Sequence, residues 1–186
     1  MAKLLDLLKP DIITSSVAAV DLNELEKRGI RGLLLDIDNT LVAWRRVDVP
    51  AEVRQWIQEA RRRGFGMCLA SNTRNNRRLE QLARDLQLNF VKGIVKPRRE
   101  GLNRAMAAIG TTPPNTAVIG DQIFTDVLGG NRTGLLTILV RPIDRREFIA
   151  TRISRALERL LFWFLRRRGE SGTIPDWQAS DRQSRE

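Results

Sequence analysis

The chain has 186 residues, with no histidine, no tyrosine and one cysteine. That composition excludes a Ser-His-Asp triad, a Cys-His dyad and the usual zinc sites, so acid–base chemistry falls to carboxylates or lysine. The net charge of +10 favours an anionic partner without choosing among phosphate esters, nucleic acid and an acidic membrane surface.

The opening Met1–Pro10 has too short an apolar core for a signal peptide, broken by Asp6 and Pro10, and no apolar stretch approaches membrane-spanning length. Residues 1–30 read as an irregular or helical lead-in, with Leu4, Leu5, Leu7 and Leu8 forming a short apolar face. Asp21 is the expected N-cap of a helix over 22–28 that ends at Gly29. The run 31–35 predicts a strand buried on both faces, as in a parallel sheet. Pro50 and Gly64 bracket a helix in which Val53, Trp56, Ile57 and Ala60 recur at helical spacing. Residues 65–70 predict a second buried strand, holding Cys68 as a small buried hydrophobe. Leu79, Leu82, Ala83 and Leu86 mark a further helix, and 89–91 a short strand. Leu102, Ala105, Met106 and Ile109 mark a helix closed by Gly110. Strands over 116–119 and 135–140, joined by a short helix, complete the pattern. This alternation predicts an α/β fold with a doubly wound parallel sheet.

Beyond 144 the pattern changes. Ile149, Ile153, Ala156, Leu157, Leu160, Leu161 and Phe164 lie on one helical stripe, flanked by Arg152, Arg155, Arg159 and Arg166. Two readings stay open: a terminal helix packed on the sheet, or a basic amphipathic helix at a membrane surface. The expected organisation is a lead-in (1–30), a core (31–144), the basic amphipathic helix (145–168) and a disordered tail (169–186).

Chemistry gathers at the predicted strand ends: Asp36 and Asp38, Ser71 and Asn72, Lys96 before Pro97, and Asp121 with Asp126. Each has a plain structural explanation alone, as an Asx-turn, a helix cap, a solvated charge or a turn. A parallel sheet, however, brings its carboxyl ends to one edge, where open α/β sheets bind ligands. The set suits phosphoryl transfer. Asp36 is the expected nucleophile, and Asp38 the general acid and then base. Mg²⁺ is expected on Asp36, Asp121 and a backbone carbonyl at Asp38. Ser71 or Asn72 would donate to a phosphoryl oxygen, and Lys96 would neutralise developing charge.

Asp36-Ile37-Asp38-Asn39-Thr40, Ser71-Asn72, Lys96-Pro97 and Gly120-Asp121 with Asp126 resemble the four motifs of the haloacid dehalogenase superfamily of phosphatases, in order, over about residues 31–140. The resemblance implies a Rossmann-like core, with Asp121 a metal ligand and Asp126 a second acidic member supporting the metal. With Leu8-Lys9-Pro10-Asp11 and the stretch Gly120–Val127, the chain resembles the YqeG-type subgroup, related to phosphatidylglycerophosphate phosphatases. That likeness implies removal of the terminal phosphate from phosphatidylglycerophosphate.

The intervals 41–65 and 73–96 leave no room for a cap domain, so an open site is expected, suited to a phosphate on something large. Aromatic content of 5% offers little for base stacking and tilts the expectation toward a lipid headgroup. Arg74, Arg77, Arg98 and Arg99 are candidates to meet it. The expected location is cytoplasmic, peripheral at the inner membrane face. Nucleic-acid ends, nucleotides or phosphoproteins remain alternative substrates, and a non-catalytic basic binding module is the alternative of another class.

Overall fold

The computed structural model describes residues 5–73 and 75–144. Arg74 and the segment 145–186, with the amphipathic stripe and tail read there, lie outside the described residues.

Among the described residues, six strands form one sheet: β1 (Ile12–Thr14), β2 (Gly32–Leu35), β3 (Gly66–Leu69), β4 (Asn89–Phe90), β5 (Thr116–Gly120) and β6 (Leu136–Val140). The order is β1-β6-β5-β2-β3-β4, and every pairing is parallel. Among the described residues, five α-helices connect them: α1 (Leu22–Lys27), α2 (Ala51–Arg62), α3 (Asn76–Leu86), α4 (Arg99–Ala108) and α5 (Leu128–Thr133). A π-helical turn, Ile123–Val127, precedes α5.

Both faces of the sheet are covered. Leu33, Leu35, Met67, Leu69, Ala117 and Ile119 pack with the apolar faces of α1, α2 and α3, while Leu34, Cys68 and Val118 pack with Leu102, Ala105 and Met106 of α4. This explains the unbroken apolar runs in β2 and β3, since alternate residues enter two different cores. On the α5 side, a β-carbon on Gly130 would meet Val118 and Thr137, so only glycine lets that helix lie so close to the sheet.

The lead-in differs from its expected form. Ile12–Thr14 is an edge strand beside β6, and Val17, Val20, Leu22 and Leu25 enter the core. Three residues are too few to show a period. What makes them a strand is a distant partner: Asp11 Oδ2 accepts hydrogen bonds from the backbone N–H (2.7 Å) and hydroxyl (2.8 Å) of Thr137.

Between β2 and β3 the chain contains a loop and α2, and between β3 and Lys96 it contains α3 and β4. Neither connection holds a cap domain. Among the described residues, no helix is long and apolar enough to cross a membrane.

Candidate active site

The winding reverses between β2 and β5, which are direct neighbours with Leu35 opposite Ile119. Asp36 and Asp121 leave these two strand ends side by side, and the Asp36 N–H donates to the Ile119 carbonyl at 2.9 Å. The π-helical turn then brings a third carboxylate back over the same edge. Asp126 Oδ2 accepts from the backbone N–H of Gln122 at 3.1 Å, which pins the turn. Oxygens of Asp36, Asp121 and Asp126 lie within 4.8 Å of one another, all three residues buried.

Lys96 enters this cluster from the loop after β4 and is only 4% exposed. Its Nζ stands 2.6 Å from Asp36 Oδ1 and 2.5 Å from Asp126 Oδ1. Burial pushes the Asp36 carboxyl up to about 6; Lys96 opposes the shift, and Asp126 and Asp38 add to it. Burial alone would lower the Lys96 value, yet the Asp126 and Asp36 carboxylates hold its ammonium above the ordinary lysine range.

Among the described residues, this cluster sets three buried carboxylates beside the Lys96 ammonium, where a phosphate would have to approach. An all-oxygen donor set of this kind fits a hard divalent cation such as Mg²⁺, which would offset that charge.

Asp38 stands apart from the triad. Its side chain points to Arg78, whose Nη1 lies 2.9 Å from both carboxylate oxygens, and Oδ1 also accepts from the Arg45 N–H at 3.0 Å. Ser71 is buried at the end of β3, its Oγ accepting from the Thr73 N–H at 3.3 Å. The Asn72 side chain is tied to the Lys96 backbone. Its side-chain oxygen accepts from the Lys96 N–H at 2.7 Å and its amide donates to the Lys96 carbonyl at 3.1 Å. It therefore holds the lysine's backbone in place.

Arg77, Arg98 and Arg99 are exposed. Arg78 is the buried arginine that sequence reasoning passed over. It lies one helical turn before Leu82 on the apolar face of α3, and a charge at that spacing was the available signal.

The fold and the site together define an α/β phosphohydrolase core, with its acidic cluster at the switch point of a parallel sheet. A family model described as HAD-hydrolase-like matches residues 94–142. The probable phosphatase YqeG of Bacillus subtilis (strain 168) is 34% identical over 160 residues, which is 86% of this chain and 92% of that protein. The chain belongs to the haloacid dehalogenase-like phosphatase family, in the YqeG-type group. The chloroplastic/mitochondrial phosphatidylglycerophosphate phosphatase 1 of Arabidopsis thaliana is 26% identical over 168 residues, covering 85% of this chain but 48% of that protein. Among solved structures, an uncharacterized protein from Listeria monocytogenes serotype 4b superposes with a TM-score of 0.51 at 15% identity. That match covers 71% of this chain and 98% of the other, and it bears on the fold alone.

Proposed function

We propose that this chain is a Mg²⁺-dependent phosphatase that works through an aspartyl phosphate on Asp36, with phosphatidylglycerophosphate as its substrate. The observation that carries the chemistry is the buried cluster: the Asp36 carboxylate 2.6 Å from Lys96 Nζ, with Asp121 and Asp126 oxygens alongside.

In the first half-reaction an Asp36 oxygen bonds to phosphorus as the ester P–O bond breaks, and the Asp38 carboxyl gives its proton to the departing oxygen. In the second, water attacks phosphorus, the Asp38 carboxylate takes the water's proton, and Asp36 is released with inorganic phosphate. Lys96 balances charge on the Asp36 side, and the Ser71 hydroxyl would donate to a phosphoryl oxygen. Bound Mg²⁺, on Asp36, Asp121 and Asp126 with the Asp38 carbonyl, would supply the neutralisation that lets a dianionic phosphate meet a carboxylate.

The lipid substrate is supported by three features. Relatives include a phosphatidylglycerophosphate phosphatase. The connections beside the site hold no cap, so a headgroup projecting from a bilayer has access. The charge of +10, with many arginines in the sequence beyond residue 144, suits peripheral attachment to an anionic leaflet, where each cation contributes roughly 1 kcal/mol.

The test compares phosphate release from phosphatidylglycerophosphate in anionic vesicles with release from a 3′-phosphorylated oligonucleotide, each with Mg²⁺ and with excess chelator. Vesicle turnover that needs Mg²⁺ and disappears in Asp36→Asn supports the proposal. Preference for the oligonucleotide would overturn the substrate, and full turnover by Asp36→Asn the chemistry.

A further inference from the structure

Arg78 is the buried arginine among the described residues, 9% exposed. Its place on α3 belongs to an apolar face that also carries Leu79, Leu82, Ala83 and Leu86. A leucine or methionine there would join the core without the desolvation cost that a guanidinium incurs. The cost is offset by specific partners. Nε and Nη2 both donate to the Arg46 carbonyl, at 2.9 and 2.7 Å, and Nη1 lies 2.9 Å from both oxygens of Asp38. The backbone N–H of Arg78 donates to Asn75 Oδ1 at 3.1 Å, so the first turn of α3 holds the base of the side chain.

The geometry points to Arg78 as the positioning residue that fixes the Asp38 carboxylate in its working orientation; this rests on the reading above, in which Asp38 moves the proton. A guanidinium is a rigid planar fork. Two of its donors on the Arg46 carbonyl set the plane, and the remaining direction is then determined. Asp38 meets that direction and the Arg45 N–H together, so its carboxylate is held from two sides rather than turning freely about its terminal bond. A lysine at 78 would reach one partner at a time. The same arginine ties the loop after β2 to α3, so the proton-transfer group and the helix following Ser71 and Asn72 keep one spacing. Misplacement by about an ångström costs on the order of 10²-fold in rate, which sets the size of the effect.

The experiment is a double-mutant cycle on the full chain, with Mg²⁺ and p-nitrophenyl phosphate as the probe. Arg78→Met should lower kcat on the order of 10²-fold while KM stays within about threefold, with Arg78→Lys intermediate. In an Asp38→Asn background, Arg78→Met should change kcat by less than about twofold, because the group it positions no longer moves a proton. Thermal melts accompany each variant. If Arg78→Met does not melt cooperatively, Arg78→Lys takes its place in the cycle with the same expected non-additivity. Losses that multiply in the double variant, or an unchanged kcat in the single one, overturn the inference. A wild-type chain without turnover on this probe or on phosphorylated vesicles overturns the phosphatase reading and the inference with it.

Discussion

Asp126 folds back over Gly120 so closely that a β-carbon at position 120 would run into its carboxyl group. The strand end therefore has no side chain where the third carboxylate of the cluster must lie. Gly120→Ala should push Asp126 away from Lys96 and from the other two acids. Overpacking of this kind costs about 1–3 kcal/mol in stability. The Mg²⁺ concentration for half-maximal activity should rise on the order of 10-fold or more, as for a displaced group supporting a metal. Thermal melts and a Mg²⁺ titration of phosphatase activity read the two effects separately.

Lys96 is the counter-charge to two buried carboxylates. Lys96→Met leaves Asp36 and Asp126 beside one another without it, a change that costs about 3–5 kcal/mol when a buried pair is broken. Added Mg²⁺ should restore part of that stability, since a bound cation offsets the same charge. The rate should fall on the order of 10²–10³-fold even at saturating Mg²⁺, as for loss of a donor aimed at developing charge. Denaturant unfolding with and without Mg²⁺, beside kcat, checks both statements.

Asn72 separates two roles by kinetics. If it holds Lys96, as its two hydrogen bonds to the Lys96 backbone indicate, Asn72→Ala should lower kcat and leave KM nearly unchanged. If it grips substrate phosphate instead, KM should rise. The expected outcome is the kcat effect, with a stability loss of about 1–2 kcal/mol for the two bonds. Steady-state kinetics over a range of phosphate-ester concentrations decides between them.

Burial pushes the Cys68 thiol from its ordinary value of 9.0 up to about 12. The folded state keeps this proton to higher pH than the unfolded chain. The stabilisation is therefore complete below about pH 9 and is lost as pH rises toward about 12, at about 1.4 kcal/mol per pH unit. Unfolding free energies measured between pH 8 and pH 11 should fall more steeply for the wild type than for Cys68→Ala. The native thiol should also resist alkylation at neutral pH.

Much of the sheet was legible because its signals are local. β2 and β3 show as continuous apolar runs, and α2, α3 and α4 as apolar residues three and four apart, patterns that follow from burial on two faces or on one. The residues brought together at the switch point were legible too, because each stands at a strand end and parallel strands share one edge. β1 was not, since a three-residue strand has no period and depends on β6. Arg78 was passed over because periodicity says that position 78 faces inward but names no partner for a charge there.

By itself the sequence determined which residue types terminate the central strands, and thereby that carboxylates and a lysine would meet at one edge. Only the tertiary structure decided the pairings. Lys96 lies between Asp36 and Asp126, 60 and 30 positions away; Asp38 turns from the acidic cluster to Arg78; and Asn72, although exposed, grips the Lys96 backbone. Local pattern reports the face a side chain occupies. Which partner it meets there depends on strand order, register and the close approach that a glycine permits, and these arise only when distant parts of the chain have packed.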